Sequence, residues 1–453
     1  MNHPEKAAVF LEDKENAKWH DETLWFVRDK RDVVSKTIPE WEELRETASR
    51  IKDNVLSQLD EYLVAFEKNA LANGIKVHWA IDAGEHNKIV LDILQQNDCK
   101  AIVKSKSILT EECHLNQYLE KHGVDVVDTD LGERIVQFLN QPPSHIVLPA
   151  IHLKKGQISD IFHEKLNTEK GNDDPFYLTN AARIHLREKF LAAKVALTGV
   201  NFGVAETGEF VVCTNEGNAD MGVHLVDVHI ACMGIEKIIP KREHLGVFLR
   251  LLARSATGQS VTNYNSHFRS PAKGKEIHII LLDNGRTEQL GREKFKNSLK
   301  CIRCGACMNT CPIYRRSGGY SYGSVVPGPI GSILSPGIDL KKHSSLPFAS
   351  TLCGSCTDVC PVKINIHEQL YEWRQEITKA QSSINAKSLA MKFANGIFSV
   401  PFAYKVGGNM MRGALKLLPH SIIYSSLNTW GKERDLPEVP KESFKDWYKK
   451  NRS

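Results

Sequence analysis

Seven of the eleven cysteines fall in two short runs of matching spacing, and nothing else in the 453 residues constrains the fold as strongly. The first run is Cys301, Cys304, Cys307 and Cys311, followed by Pro312. The second is Cys353, Cys356 and Cys360, followed by Pro361, with Ser350 where the pattern would place an opening cysteine. Gaps of two residues let a chain curl around one corner of a cube while three thiolates converge on it. The three-residue gap and the proline then send the fourth sulfur elsewhere. This spacing points to iron–sulfur cubes. Zinc held by C-x2-C pairs is the weaker alternative, because it needs neither seven cysteines in this register nor a proline after each run. A disulfide framework is weaker still in so long a chain. Residues 1–14 carry Glu5, Glu12 and Asp13 and no apolar stretch of secretory length, so no leader peptide is expected and reduced thiols in the cytoplasm are.

The complete run is the signature of a bacterial-type two-cluster ferredoxin, in which the fourth cysteine of each run ligates the other cluster. Carried over, that crossing gives cluster one Cys301, Cys304, Cys307 and Cys360. Cluster two receives Cys311, Cys353 and Cys356. Its remaining corner faces Ser350, another oxygen ligand or water, or lacks its iron. The expected cofactors are therefore two [4Fe-4S] clusters, the second with an incomplete cysteine set and open to a [3Fe-4S] form. A chain with two such clusters is expected to move single electrons.

Four regions are expected: a helical segment at 1–50, an α/β domain at 51–290, the two-cluster domain at 291–380 and a helical C-terminal region at 381–453. Leu44, Ile51, Val55, Leu59, Leu63 and Phe66 recur at helical spacing, and Asn73-Gly74 stops that pattern. Short apolar strands then alternate with helices. Strands are expected at 75–80, 101–103, 124–127, 145–148, 194–198, 209–212, 227–231 and 276–282. Helices are expected at 87–96, 111–121, 133–139, 180–190 and 244–256. That alternation predicts a parallel, doubly wound sheet. The Gly/Pro/Ser-rich insert at 317–337 reads as a loop, either a connector or a source of N–H donors to the cluster sulfurs. The segment 366–378 reads as a helix, which suggests an α-helical ferredoxin type.

The formal net charge of +5 is small and dispersed, which argues against a nucleic-acid partner. No apolar run reaches the roughly 18 residues that a membrane span needs. One local asymmetry stands out: 377–431 contains no Asp or Glu, while Lys379, Lys387, Lys392, Lys405, Arg412 and Lys416 are basic. The expectation is a helical appendage on the cluster domain, with docking on a partner or peripheral contact with an anionic membrane face as alternatives.

In the α/β region, Lys104-Ser105-Lys106-Ser107 ends a strand, where open sheets bind ligands, and two lysines suit an anion. Polar and glycine residues crowd 205–209 and 213–218. Hairpin turns and a helix cap account for these segments equally simply. No dinucleotide fingerprint, P-loop or G-x-S-x-G is present. Cys99, Cys113, Cys213 and Cys232 are isolated and read as small hydrophobes. The eighteen histidines, His224 and His229 included, show no metal spacing.

These features together resemble the lactate utilisation protein B family. The resemblance rests on Lys104–Ser107 with Thr110-Glu111-Glu112, Thr129–Arg134, Pro143–His152, Gly199–Phe202 with Ala205–Gly208 and Asn215–Asn218. It rests also on the cysteine runs with Ser350 and Leu352, and on Trp430 with Arg434–Pro437. The resemblance implies an α/β lactate-utilisation domain with a sheet like those of CoA-transferases and sugar-phosphate isomerases. An α-helical two-cluster ferredoxin domain and a helical C-terminal region would follow it. It also implies a role as the electron-transfer iron–sulfur subunit in oxidation of L-lactate to pyruvate, with a cysteine-rich subunit and a second lactate-utilisation-domain subunit as partners. The alternative is a substrate-binding oxidoreductase subunit whose α/β domain or labile cluster corner holds a hydroxy acid directly. No catalytic residue and no cofactor-binding residue beyond the cluster cysteines are assigned by sequence, and the electron acceptor is not specified.

Overall fold

The structure is a computed structural model that describes residues 2–380, 386–425, 435 and 438–452. It divides into two compact units, Met1–Ile377 and Thr378–Ser453. The first unit contains ten strands: β1 (Lys76–Ala80), β2 (Ala101–Lys104), β3 (Asp125–Asp128), β4 (Val195–Gly199), β5 (Phe202–Val204), β6 (Phe210–Thr214), β7 (Val228–Gly234), β8 (Ile238–Ile239), β9 (Tyr264–Phe268) and β10 (Glu276–Leu282).

Six strands form one sheet in the order β1-β10-β7-β4-β2-β3, with every pair parallel. The central strand β7 is buried at all seven positions. This is the mark of a parallel sheet covered on both faces, where apolar runs replace alternation. The sequence expectation of a doubly wound parallel sheet is met at this level. A smaller sheet, β8-β5-β6-β9, pairs β5 with β6 and β6 with β9 antiparallel, and β5 with β8 parallel. Its strands β5, β8 and β9 had no clear signal in the sequence, because two of them are only two or three residues long.

The N-terminal helices are His3–Glu12, Lys14–Lys36, Trp41–Ser57 and Leu59–Ala72. The periodic run at 44–66 is thus two helices, broken at Gln58. Leu24, Trp41, Leu44, Ala48 and Ile51 share one core with Cys304, Cys307, Cys311, Cys356 and Cys360, Tyr314, Tyr322 and Trp373. The opening helices therefore wall the cysteine-rich region and are part of the same packed body.

Three local expectations are corrected. Residues 145–148 form no strand. Pro142, Pro143 and Pro149 withhold ladder donors, and the His145 ring accepts the N–H groups of Val147 and Leu148 at 3.0 Å each. The helix expected at 111–121 is two helices, Ile108–Glu112 and Leu115–Lys121, divided where His114 turns to φ 52. The insert at 317–337 is only partly loop, because Gly328–Ile338 is helical. Pro329 sits in its first turn, where a missing N–H costs nothing. A Cβ at Gly331 would meet the Val326 carbonyl oxygen at 1.5 Å, so only glycine fits.

In the second unit, Ala386–Ser399 and Pro401–Leu417 are helices within the acid-free run. Phe393, Phe398, Phe402, Met410 and Leu417 on them are exposed. Trp430, Arg434, Leu436 and Pro437 lie outside the described residues. No helix among the described residues is long and apolar enough to cross a membrane.

Candidate metal centre

The two cysteine runs share one backbone device. Arg303 and Gly305 have φ values of 60 and 79, and Leu352 and Gly354, at the same places in the second run, have 55 and 81. Two left-handed residues around the second position of each run turn successive N–H groups inward. Arg303 N donates to Cys301 Sγ at 3.4 Å. Its counterpart, Leu352 N, donates to Ser350 Oγ at 3.1 Å. The serine hydroxyl therefore occupies the place in the second loop that a thiolate occupies in the first. Tyr314 N donates to Cys311 Sγ at 3.5 Å and Ile364 N to Cys360 Sγ at 3.4 Å. These donors come from the cysteine runs themselves and not from the insert, whose share is the apolar wall at Ile330.

The thiols fall into two sets. Cys304 neighbours Cys301 and Cys360, and Cys307 neighbours Cys301, Cys304 and Cys360. Cys356 neighbours Cys311 and Cys353. Thr310, next to Cys311, bonds Ser355, next to Cys356, so the two runs lie side by side. The first set lines a small cavity of about 20 Å³, walled by Ile146, Ile302, Ile330, Val362, Ile364 and Ile366. As free thiols these groups resist ionisation. Burial pushes Cys304 and Cys356 up to about 12 and Cys360 up to about 11, and it raises Cys307 well above the ordinary thiol value. Iron must therefore displace protons, and the inward N–H groups and apolar lining suit an inorganic cube.

Cations from distant segments grip the backbone of both loops. Arg45 donates to Cys360 O at 2.9 and 3.1 Å, Arg31 to Val359 O at 3.1 Å, and Lys237 to Cys301 O at 3.1 Å. Arg28 holds Thr310 and Ser355, which bond each other at 2.5 Å. His145 reaches Asn309 Oδ1 at 3.0 Å, and burial drives its ring down to about 3, so it stays neutral. None of these contacts was read from the sequence, since each joins segments tens to hundreds of residues apart.

A second cavity, of about 260 Å³, lies at the carboxyl ends of β2, β4 and β7. Ile302, Arg303 and Cys304 form its wall on the cluster side, and Leu252, Ala253 and Ala256 close it. The polar segment 213–218 contributes Cys213, Thr214, Asn215, Glu216 and Asn218, as its composition suggested, and Lys106 also lines it. Lys104 does not. It is fully buried against Asp128 at 2.7 Å and Glu111 at 3.1 Å. Residues 205–209 form a turn, held by Asn69 on Ala205 O at 2.8 Å and Asn73 on Thr207 O at 2.7 Å. Cys99 and Cys113 are core, His229 is buried beside Thr198, and His224 caps its own helix turn.

Comparison with known proteins places this geometry. Residues 63–288 match the LUD domain, 297–364 the 4Fe-4S dicluster domain, and 374–453 the C-terminal domain of lactate utilisation protein B. The chain is 43% identical to lactate utilization protein B of Bacillus cytotoxicus, over 91% of this chain and 89% of that protein. It is 42% identical to the Bacillus cereus protein, over 90% and 88%. It is also 42% identical to lactate utilization protein B 2 of Bacillus mycoides, over 91% and 89%. A crystal structure of a DUF162 family protein from Deinococcus radiodurans matches 50% of this chain and 98% of its own, with a TM-score of 0.28 and 14% identity.

Proposed function

The chain belongs to the lactate utilization protein B family of lactate-utilisation iron–sulfur proteins, and on that premise we propose that it is the electron-relay subunit in oxidation of L-lactate to pyruvate. The carrying observation is the adjacency of the two cysteine runs, joined where Thr310, next to Cys311, bonds Ser355, next to Cys356, at 2.5 Å. Each cluster, when bound, takes up one electron at a time. Cys301, Cys304, Cys307 and Cys360 would hold the first, and Cys311, Cys353 and Cys356 the second, with Ser350 Oγ at its fourth corner. The second would be a [4Fe-4S] cluster with one labile iron, or a [3Fe-4S] cluster if that iron is absent.

The protein's own groups set the conditions for transfer. The apolar wall excludes water, which slows hydrolysis of the clusters and lowers the local dielectric. The inward N–H groups and the cations Arg31, Arg45 and Lys237 offset the negative charge that an added electron brings. The partners in this reading are a cysteine-rich subunit and a second lactate-utilisation-domain subunit. The location is the cytoplasm. The domains run 1–50, 51–290, 291–380 and 381–453, and the sheet is of the CoA-transferase and sugar-phosphate-isomerase type.

The test is anaerobic potentiometric titration of the reconstituted chain with EPR detection, followed by addition of L-lactate to the assembled three-subunit complex. Two one-electron transitions and lactate-dependent reduction in the complex are expected. If the isolated chain with lactate reduced its own clusters, it would be the dehydrogenase itself and not a relay.

A further inference from the structure

The cavity beside Cys304 joins groups that touch the Cys301 loop, Arg303 and Lys237, to others that the relay does not use. In one corner Arg286 bonds Glu236 Oε2 at 2.5 Å and Glu112 Oε2 at 2.9 Å, and Arg303 bonds Glu112 Oε1 at 3.1 Å. Lys237 approaches Glu236 no closer than 3.9 Å. Three cations therefore share two carboxylates. Burial, the largest single effect, would raise Glu236, but Arg286, Lys237 and Arg303 together outweigh it and hold the carboxyl down to about 2. One guanidinium nitrogen of Arg303, Nη1, is buried and has no partner. The corner thus has a surplus positive charge and an unused donor facing a walled space.

Elsewhere the lining holds Asn218 and Thr214 together with the charged Lys106, Asp130 and Glu216, of which Lys106 pairs with Asp130 at 3.4 Å. Asn218, only 7% exposed, gives its Nδ2 to Thr129 at 3.1 Å and leaves Oδ1 without a partner. Thr214 Oγ1 is likewise buried and unpartnered. Between the two ends lie Ile108, Val147, Leu252 and Ala256. An anionic group at one end, a small apolar body and a hydroxyl or carbonyl at the other satisfy all three zones together.

We propose that this cavity binds a small 2-hydroxy or 2-oxo carboxylate, with the carboxylate at Arg303 and Lys237, the hydroxyl or carbonyl oxygen at Asn218 and Thr214, and the ligand separated from the first cluster only by the Cys304 loop. The proposal deepens the relay reading and rests on it for the cluster beside the site. It places the acid on this subunit, beside the Cys304 loop.

The test is calorimetry on the anaerobically reconstituted full chain with L-lactate, pyruvate and propionate, paired with EPR of the reduced protein. Saturable binding of lactate or pyruvate is expected, with propionate, which lacks the second oxygen, roughly tenfold weaker. The bound acid shifts the EPR signal of the first cluster. Arg303→Met weakens binding about ten- to a hundredfold. Ala253→Leu fills the cavity without touching a charge or a cysteine loop, and abolishes binding while iron content and visible spectrum stay as in the unaltered chain.

Reducible clusters with no saturable binding of any of the three acids overturn the proposal and leave the relay intact. Equal binding of lactate and propionate, or undiminished binding by Ala253→Leu, also overturns it. Binding to a chain whose clusters cannot be reduced would support the ligand site and refute the relay.

Discussion

Replacing Lys104 by methionine separates a structural lysine from a ligand-binding one. Its ammonium is fully buried, 2.7 Å from Asp128 Oδ1 and 3.1 Å from Glu111 Oε1. Burial opposes its charge, but Asp128, Glu111 and Glu133 together raise it well above the ordinary lysine value. Glu133 is buried nearby with neither carboxylate oxygen hydrogen-bonded, and burial raises it well above the ordinary range. The methionine side chain fills similar space, so the cavity term is small and the electrostatic term dominates. Removing one partner of a buried pair costs about 3–5 kcal/mol, because the other charge stays desolvated and unpaired. In a unit of this size that lowers the melting temperature by roughly 5–10 °C. Differential scanning calorimetry at pH 7 reads the shift, and Asp128→Asn in the same chain should restore part of it. Lowering the pH should also narrow the deficit, since stranded carboxylates become neutral. Iron content and visible spectrum should stay constant. An unchanged or raised melting temperature would refute the ion-pair reading and return Lys104 to the ligand site.

Ser350→Cys supplies a sulfur where the Leu352 N–H already points, so iron should rise towards about eight per chain and the second cluster's EPR signal should become that of a stable [4Fe-4S] form. No change in either would count against the assignment of Ser350. Cys304→Ser should remove about half the iron and the first cluster's signal, and retention of both would break the proposed ligand set. Acid sensitivity follows from His145 and His229, both driven by burial down to about 3. Below the ordinary value near 6.5 the unfolded chain takes up protons that the folded chain refuses. Stability is therefore present above that value and is lost as pH falls towards 3, at about 1.4 kcal/mol per unit for each ring. Urea midpoints at pH 7 and 5 measure the slope, and His229→Gln should remove about half of the part these two rings supply.

The parallel sheet was legible because buried strands such as 228–234 are continuous apolar runs between helical periods. The cysteine sets were legible because a cube dictates spacing along the chain. Other features were hidden where long-range partners replace local rules. The strand expected at 145–148 looked apolar enough, but prolines and an acceptor imidazole claimed its backbone. The Gly/Pro insert hid a helix, because Pro329 falls where a helix tolerates proline. Of the two lysines at the end of β2, only Lys106 lines the cavity, and the acids that bury Lys104 come from β3 and from later helices. Arg28, Arg31 and Arg45 carried no signal, because nothing nearby in sequence shows that their helices pack on cysteine loops some 280–330 residues later.

Elemental analysis of the anaerobically purified chain, joined to its visible spectrum before and after dithionite, addresses the iron–sulfur relay most directly. The relay predicts about seven to eight irons and a matching amount of sulfide per chain, with brown absorbance that bleaches on reduction. Stoichiometric zinc in place of iron, or absorbance that dithionite leaves unchanged, would contradict it.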